Sequence, residues 1–242
     1  MPEGNTVRFF KDELKKFIGK TIISASGKTK KINLKKLNNQ KIFDVFKIGK
    51  VLYIKLSSGQ LLQLHFLLFG SFQLNPTNKI PRQLILKVGN DELVFNTSSI
   101  KLINESDIHL DIQLDPTDTK YSKIKSKRVF KEYIHDHPNE IISDTLMNQD
   151  IFPGVGNIIK NESLYLAKIN PNRKLSSFSE SEINKILESI RNFSLKFYRM
   201  DKTGNYSFNV YNKDVCPNGE KIVKKELGKL KRMSMWCPKL QK

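Results

Sequence analysis

The 242-residue sequence predicts an α+β fold: one helix, a run of short strands, a polar segment, several helices and a small β module. Three observations predict it. Apolar residues recur at helical spacing near the start, short segments rich in β-branched and aromatic residues fill the next 95 or so positions, and helical spacing then returns. The length fits one large domain or two smaller ones.

The first element is a helix predicted over residues 5–18, with Asn5 as its N-cap. Its apolar residues recur at helical spacing: Val7, Phe10, Leu14 and Phe17. Glu3 lies just before the helix, where the positive end of the helix dipole favours a carboxylate. The helix is therefore expected to present the start of the chain at its positive end.

From residue 20 to about 115 the pattern is that of strands, with segments such as "KIFDVFKI", "KVLYIKL", "QLLQLHF" and "ELVFN". The stretches "SSGQ" and "GND" are typical of hairpin turns. Several short strands at this spacing predict a β-sandwich or a barrel. The intervening "GKTKKINLKKLNNQ" (27–40) is predicted to be a basic loop.

The polar stretch "DPTDTKYSKIKSK" (115–127) is predicted to be a linker. It separates an N-terminal β domain (1–114) from a helical domain (128–204), and a small hairpin-like module (205–242) follows. Within the helical domain, Ser179 and Glu182 are spaced as a capping box for a long helix.

The charge of the chain indicates a partner. Lys and Arg outnumber Asp and Glu by 42 to 24, which gives a formal net charge of +18. Such an excess favours a polyanion, most simply a nucleic acid, although general solubility or a membrane surface would also explain it. No apolar run approaches the length of a membrane span, no secretory signal is visible, and two Cys make no disulfide framework, so a reducing compartment is expected.

The opening "MPEG" is a candidate catalytic motif. A Pro in second position favours removal of Met1, which would leave Pro2 with a free secondary amine. Such an amine can attack an electrophilic carbon and form an iminium. The alternative is that Pro2 only sets processing and that Glu3 merely precedes a helix.

The turn Gly154-Val155-Gly156 opens onto a helix that begins near Asn157. Backbone N–H groups at such a turn can bind a phosphate, and the Asn157 side chain could add a hydrogen bond. Glycines would let a nucleic-acid backbone approach closely. An ordinary corner between two helices, with its glycines there for packing, explains the same pattern.

Five segments, in order along the chain, resemble the Fpg/Nei family of DNA glycosylases (formamidopyrimidine-DNA glycosylase and endonuclease VIII). "GVGNIIKNESLYLAKINP" resembles the family's helix–two-turn–helix motif, and "MPEG" resembles its N-terminus. "KIGKVLYIKL" resembles its hairpin with a phosphate-binding lysine, "LHFLLFGSFQLN" the strand that follows, and "CPNGEKIVKKELGKLKRMSMWCP" its C-terminal finger. The resemblance is closest to the endonuclease VIII-like protein 2 type.

The resemblance implies a fold and a chemistry. The fold is an N-terminal helix on a two-layered β-sandwich, then a helical domain with a finger, with damaged DNA in the cleft between the domains. The activity is that of a bifunctional DNA glycosylase and AP lyase of base excision repair, acting on a flipped-out nucleotide. Pro2 would form a Schiff base with the sugar, Glu3 would act as acid and base, and β,δ-elimination would cut the strand.

The resemblance also assigns DNA-binding residues. Lys50, Asn157 and Arg232 match the family's phosphate clamp, and the backbone of Gly154 and Gly156 lies beside it in the motif. These contacts are expected to position the DNA and not to identify the lesion.

A further DNA-binding residue is expected at the gap that a flipped base leaves. Leu68 matches the first of three residues that fill this gap in the family. The other two, an Arg and a Phe in a later loop, have no counterpart in "FNTSSIKLI". Unfilled space loses contacts, so we expect a preference for single-stranded or bubble DNA.

The finger departs from the family, whose fingers hold zinc with four Cys or with three Cys and one His. Cys216 and Cys237 match two of these positions, but Glu220 and Leu240 stand at the other two. A weak metal site of two Cys, Glu220 and a water is conceivable, and so is a Cys pair. We expect a zincless finger held by packing, and hence no cofactor.

The resemblance points to oxidised bases as substrates, mainly pyrimidines and hydantoins. A monomer is expected, inside the cell wherever DNA is repaired: nucleus, cytoplasm or a viral replication compartment. The alternative is a non-catalytic DNA-binding protein on the same fold. A third class, ribosome-associated RNA binding, would explain the charge and the helices but neither "MPEG" nor the finger.

Overall fold

The computed structural model describes residues 2–77 and 82–242. By their contacts, these residues form two compact units. The first, here called the β unit, contains Pro2 and Thr6–His109. The second, here called the helical unit, contains Glu3–Asn5 and Leu110–Lys242. The predicted removal of Met1 lies outside the described residues.

The first helix, α1, spans Gly4–Leu14 and is followed by a 3-10 turn at Lys15–Phe17. The apolar residues that predicted it are buried in the core of the β unit: Val7, Phe10, Leu14 and Phe17. The predicted cap is wrong, because Asn5 lies inside the helix. Its side-chain Nδ2 instead donates to Asp201 Oδ2 at 2.6 Å.

Six antiparallel strands form the sheet of the β unit, in the order β1-β5-β6-β4-β3-β2. An isolated bridge between Thr21 and Lys41 joins the two outer ends, so the sheet curls on itself. This confirms the predicted fold class, with a single curled sheet providing both layers. The strands are β1 (Ile22–Ser26), β2 (Ile42–Ile48), β3 (Val51–Leu56), β4 (Leu61–Leu74), β5 (Leu84–Val88) and β6 (Asp91–Ile103).

The helical unit has its own apolar core, formed by side chains such as Phe130, Phe152 and Phe193. The capping box at the start of its longest helix is confirmed: Ser179 Oγ accepts from Glu182 N, and the Glu182 carboxylate accepts from Ser179 N at 2.9 Å. The helices of this unit are α2 (Lys123–Asp136), α3 (Ile142–Thr145), α4 (Asn157–Ala167) and α5 (Glu180–Thr203).

The segment predicted as a linker is partly packed. Residues 115–118 are buried, and Asp115 Oδ1 accepts hydrogen bonds from the N–H and the hydroxyl of Thr117 at 2.9 and 2.6 Å. Arg191 Nη1 donates to the carbonyls of Pro116 and Asp118. Helix α2 begins at Lys123, within the predicted linker. The predicted four-part division stays a prediction.

The chain ends in a small module whose hairpin pairs β7 (Val223–Leu227) with β8 (Arg232–Trp236). Its core consists of Val210, Cys216, Ile222, Met235 and Cys237. None of the described helices is both long enough and apolar enough to cross a bilayer.

Candidate active site and nucleic-acid interface

The carboxylate of Glu3 lies at the N-terminal end of α4. Its side chain is only 3% exposed. Oε1 accepts from the backbone N–H of Ile158 at 2.8 Å, and Oε2 accepts from that of Ile159 at 3.0 Å. The first N–H groups of a helix have no partner within it, and the dipole favours negative charge there. Helix α4 therefore binds Glu3 through its backbone.

Two glycines make this contact possible. A Cβ on Gly156 would lie 2.3 Å from Glu3 Cδ, and a Cβ on Gly4 would lie 2.9 Å from the Cα of Gly154. Gly4 N also donates to the Gly154 carbonyl at 2.9 Å. The Gly-rich turn is thus packed against residues 3 and 4 of the chain itself. DNA contacts by Gly154 and Gly156 stay a prediction, and the structure supplies a different reason for their missing side chains.

Pro2 is half-buried and is bonded directly to Glu3. Because Cα atoms of consecutive residues are about 3.8 Å apart, fixing Glu3 also confines Pro2. The arrangement places a residue that can carry a terminal amine next to a carboxylate held in one position. Such an arrangement can supply a nucleophile with an adjacent proton acceptor.

Two of the three predicted clamp residues lie close together in the helical unit. Asn157 is the first residue of α4, and Arg232 is the exposed first residue of β8. The Nδ2 of Asn161 donates to the carbonyl of Asn157 at 2.8 Å and to that of Met233, which follows Arg232, at 3.4 Å. The Asn157 Oδ1 is buried and has no hydrogen-bond partner among residues 2–77 and 82–242. This oxygen can accept a hydrogen bond, whereas a phosphate, itself an acceptor, would have to be bound by the Nδ2 group of the same amide.

Lys160 is a buried lysine at this site that the sequence analysis does not predict. Its Nζ donates to Ser234 Oγ at 3.1 Å and to the Met233 carbonyl at 3.3 Å, so it joins α4 to β8. Burial lowers the pKa of Lys160 to about 8; the charges of Asp144 and Glu3 oppose this shift, and that of Arg232 adds to it. Lys160 is therefore a positive group in the electrostatic field of both Glu3 and Arg232.

The next two residues of α4 are also buried, polar and bound to the C-terminal module. Asn161 Oδ1 accepts from Met235 N at 2.9 Å. The Glu162 carboxylate accepts from the backbone N–H groups of Asn209, Val210 and Tyr211 at 2.8–2.9 Å. Three successive polar residues in a helix whose other residues are mostly apolar are the sequence signal that could have predicted this contact.

Tyr211 connects this contact to the site. Burial raises the pKa of Tyr211, and the negative charge of Glu3 raises it further. Its phenol therefore stays protonated at neutral pH.

The third predicted clamp residue, Lys50, belongs to the β unit. It lies in the two-residue turn between β2 and β3, where Gly49 has a φ of 59° that suits a hairpin turn. Lys50 is buried, and so is Lys47, whose Nζ donates to the Gly49 carbonyl at 3.2 Å. Burial lowers the pKa of His65, and the charge of Lys50 lowers it further. His65 is thus a neutral neighbour of Lys50 that the sequence analysis missed.

Leu68 lies in β4 at an irregular position. Phe66 pairs with Ser98 of β6 and Ser71 pairs with Asn96, so the residues between Phe66 and Ser71 bulge out of the sheet. Leu68 is 57% exposed. The segment "FNTSSIKLI", which has no counterpart of the other two gap-filling residues of the family, is the body of strand β6.

The finger residues do not fit a structural zinc site. Ligand atoms of Cys216, Glu220 and Cys237 lie within 4.8 Å of one another, and they are the one such group among the described residues. Three ligands are one fewer than a structural zinc site needs. Burial raises the pKa of Cys237 to about 11, and hydrogen bonds to Cys216 and Glu220 contribute. Both thiols donate to Asn218 Oδ1, and both cysteines are free.

Comparison with known proteins gives two matches to models of one family. The formamidopyrimidine-DNA glycosylase N-terminal domain matches residues 1–107, and the formamidopyrimidine-DNA glycosylase H2TH domain matches residues 114–208. Together the two matches cover most of the chain. They include Pro2, Glu3, Lys50, Leu68 and Asn157.

Curated relatives agree with these matches. Endonuclease 8-like 3 of Bos taurus is 30% identical over 210 residues, which are 81% of this chain and 34% of that protein. Endonuclease 8-like L720 of Acanthamoeba polyphaga mimivirus is 37% identical over 117 residues, 46% of this chain and 43% of that protein. Endonuclease 8-like 2 of Mus musculus is 37% identical over 101 residues, 40% of this chain and 31% of that protein. The matched segments span less than half the length of these relatives.

Solved structures share the fold. A viral DNA glycosylase superposes with a TM-score of 0.87 at 24% identity, over 99% of this chain and 100% of that one. Lactococcus lactis formamidopyrimidine DNA glycosylase, solved with DNA containing an AP site, gives a TM-score of 0.84 at 23% identity, over 99% of each chain. At these identities the likeness establishes the architecture.

Proposed function

Because the chain belongs to the Fpg/Nei family of DNA glycosylases, we propose that it is a bifunctional DNA glycosylase and AP lyase of base excision repair. It removes oxidised bases, mainly pyrimidines and hydantoins, and then cuts the strand. The observation that carries the proposal is the buried Glu3 carboxylate, held by two backbone N–H groups of α4 directly beside Pro2.

The first step uses the nitrogen of Pro2 and requires that Pro2 be the first residue of the mature chain. The secondary amine forms a bond to the sugar C1′, and the bond from C1′ to the base breaks. The base leaves with the electron pair of that bond and takes a proton from water. An α-amine ordinarily titrates at about 7.7–8.0, so part of it is neutral at pH 7. The sugar ring then opens and leaves an iminium between Pro2 and C1′.

Glu3 moves the proton in this step. Its position at the positive end of α4 favours the carboxylate, so it first accepts the proton that leaves the Pro2 nitrogen. It then returns this proton to the ring oxygen as the C1′–O4′ bond breaks. Positioned proton transfer of this kind contributes about 10²–10⁴-fold to a rate.

Strand cleavage follows from the iminium. The iminium makes the C2′ proton acidic, and loss of that proton breaks the bond between C3′ and its phosphate oxygen. A second elimination releases the phosphate at C5′, and water then frees Pro2. Both eliminations need a base within reach, and Glu3 is the carboxylate next to Pro2.

Damaged DNA is the partner in this proposal. Lys50, Asn157 and Arg232 bind its phosphates, and Leu68 enters the space of the flipped nucleotide. Lactococcus lactis formamidopyrimidine DNA glycosylase, which shares the fold, was solved with AP-site DNA, and this supports damaged DNA as the partner. We further propose a preference for single-stranded or bubble DNA, a zincless finger, a monomer, and a place in the cell where DNA is repaired.

The test is reductive trapping with borohydride on an oligonucleotide that carries an abasic site. Mass spectrometry first establishes that the purified chain begins at Pro2. The wild-type protein is expected to give a covalent adduct, and Pro2→Thr is expected to give none. If the wild-type protein binds the DNA but forms no adduct, it is a non-catalytic DNA-binding protein.

Oligonucleotides that carry one oxidised pyrimidine, offered as single strand, bubble and perfect duplex, test the preference. Excision is expected to be fastest where the lesion strand is already unpaired, because no hole in a duplex must then be filled. Equal or faster excision from the perfect duplex would contradict the preference but not the chemistry.

A further inference from the structure

The basic loop of residues 27–40 exposes lysines and contains no acidic residue. Its exposed lysines are Lys28, Lys30, Lys31, Lys35 and Lys36. The whole stretch of residues 14–43 contains no Asp or Glu. Like charges repel, so a group of cations without anions destabilises the compact chain unless an external anion approaches it. The basic loop is therefore a candidate surface for an anionic partner.

The backbone of this loop is held by the β unit. Thr29 is buried, and its N–H donates to the carbonyl of Gln83 at 3.0 Å. A 3-10 turn follows at Leu34–Leu37, and the side chain of Leu37 is buried in the core of the β unit, against which Ile32 also packs. The lysines of the loop are therefore carried on a backbone with a defined position.

Two lysines of the loop lie beside a third lysine, which comes from the sheet. Lys31 and Lys36 line a surface cavity of about 310 Å³ together with Lys101 of β6. This cavity is here called the lysine cavity. Among residues 2–77 and 82–242, none of its three ammonium groups forms a salt bridge. Glu105, the nearest acid to Lys101 along the chain, is bound by Lys55 at 2.7 Å.

The register of the sheet relates the lysine cavity to Lys50. Lys101 follows Ser99 by two residues, and Ser99 pairs with His65 of β4. His65 also pairs with Val51, the residue after Lys50. Paired residues and residues two apart share a face of a sheet, so Lys101 and His65 are on one face, separated by about 7 Å along the strand direction. A DNA strand carries one negative charge per about 3.4 Å of its axis, so a single strand can span these positions.

We propose that the lysine cavity binds the phosphate backbone of the bound DNA strand beyond the nucleotides that Lys50 reaches. The inference rests on the proposed function and adds to it a second place at which the β unit holds the strand. Lysine presents a point charge on a flexible stem, so the contact binds phosphate without selecting a base. The DNA backbone also supplies the anions that the surroundings of these cations lack.

The test compares two triple variants that have the same net charge. The cavity variant combines three substitutions in the lysine cavity: Lys31→Gln, Lys36→Gln and Lys101→Gln. The control variant combines three substitutions of exposed lysines outside it: Lys16→Gln, Lys87→Gln and Lys185→Gln. Binding to a long single-stranded oligonucleotide with a central abasic site is measured at several salt concentrations, and thermal unfolding checks that both variants keep the fold.

The expected result is a change in the salt dependence of binding. The slope of log affinity against log salt should fall by about 2 in the cavity variant, since each lost contact with a single strand removes about 0.7. The control variant should keep a slope near that of the wild type. The position of the lysines, and not the net charge of the protein, then accounts for the difference.

A series of oligonucleotide lengths gives a second readout. A short oligonucleotide carries the abasic site and one nucleotide on each side, and the wild type and the cavity variant should bind it equally. The wild type should gain affinity as the oligonucleotide is extended, because additional phosphates then reach the lysine cavity. The cavity variant should gain less.

Equal salt slopes in the two triple variants would overturn the inference, because net charge alone would then explain the binding. The same follows if the cavity variant loses affinity for the short and the long oligonucleotides alike. Failure of the proposed function is a different result: the wild type would form no adduct, while the salt slopes on the same DNA would still decide the role of the lysine cavity.

Discussion

Successive turns of helix α4 bind two different parts of the chain, and they do so with different atoms. The first turn binds Glu3 through the backbone N–H groups of Ile158 and Ile159. The next turn binds the C-terminal module through the side chains of Lys160, Asn161 and Glu162. The first contact carries the candidate chemistry, and the second positions Arg232 beside Asn157.

The two contacts differ in the substitutions that they tolerate. A backbone donor survives most substitutions of its own residue, so the contact with Glu3 is vulnerable mainly at the glycine that makes room for it. A side-chain contact is vulnerable at each of its own residues, because removing one partner leaves buried polar groups unpaired. Three substitutions test this contrast.

The largest effect is expected from Gly156→Ala. Gly156 has a φ of −120°, which any residue adopts, so the added Cβ acts only by its contact with Glu3. We expect the carboxylate to be displaced and excision to fall about a hundredfold, as for a misplacement of about 1 Å in an active site. Single-turnover excision and thermal unfolding measure the two consequences separately.

The control for that substitution is Gly219→Ala. Gly219 has a φ of 85° and open space around its Cα, so an Ala there strains the backbone without touching another group. It is expected to lower stability slightly and leave the excision rate intact. Full activity in Gly156→Ala would show that the position of Glu3 is not critical.

A smaller effect, on stability, is expected from Glu162→Gln. The amide replaces an acceptor that serves three buried or half-buried N–H groups, and an unsatisfied buried group costs about 1–3 kcal/mol. Urea unfolding should give a loss in this range. Glu188→Gln removes an exposed ion pair with Lys123 and should cost no more than about 1 kcal/mol. Equal losses of unfolding free energy in both variants would show that Glu162 does not stabilise the contact between α4 and the C-terminal module.

The last effect is expected from Lys160→Met and depends on pH. The pKa of Lys160 is lowered to about 8 in the folded chain, against an unfolded value near 10.5. Between these values the unfolded chain binds more protons, so wild-type stability should gain a contribution as pH rises from about 8 to 10.5. The Met variant lacks that gain, and its DNA affinity should be a few-fold weaker below pH 8, where wild-type Lys160 is charged.

Denaturation and DNA-binding curves between pH 7 and 10.5 measure this difference. Lys185→Met, at an exposed position of α5, is the matched control and should follow wild type. Parallel pH curves for wild type and Lys160→Met would contradict the assigned environment of the amine.

Much of the fold could be predicted because its signals are local. The spacing of Val7, Phe10 and Leu14 predicted α1, and the pair Ser179 and Glu182 predicted the start of α5. Both signals depend on neighbours within one or two helical turns. Asn5 was misjudged because its side chain donates to a residue far along the chain, and local preference cannot anticipate that.

The site was predictable in its residue types but not in its contacts. "MPEG" and "GVGN" marked Pro2, Glu3 and Asn157, yet the bond between Glu3 and α4 uses backbone donors that leave no mark on the sequence. Lys160 was missed because a lysine on a helix is ordinarily solvated. Its burial is decided by β8, whose position depends on the tertiary fold.

The close approach of Glu3 to Gly156 also constrains how the sequence can change over generations. A side chain at position 156 excludes an acid of this length at position 3, and a bulkier residue at position 4 meets the turn at Gly154. A substitution at one of these positions therefore requires a matching substitution at another. Descendants of this gene should keep them as a set or lose them together.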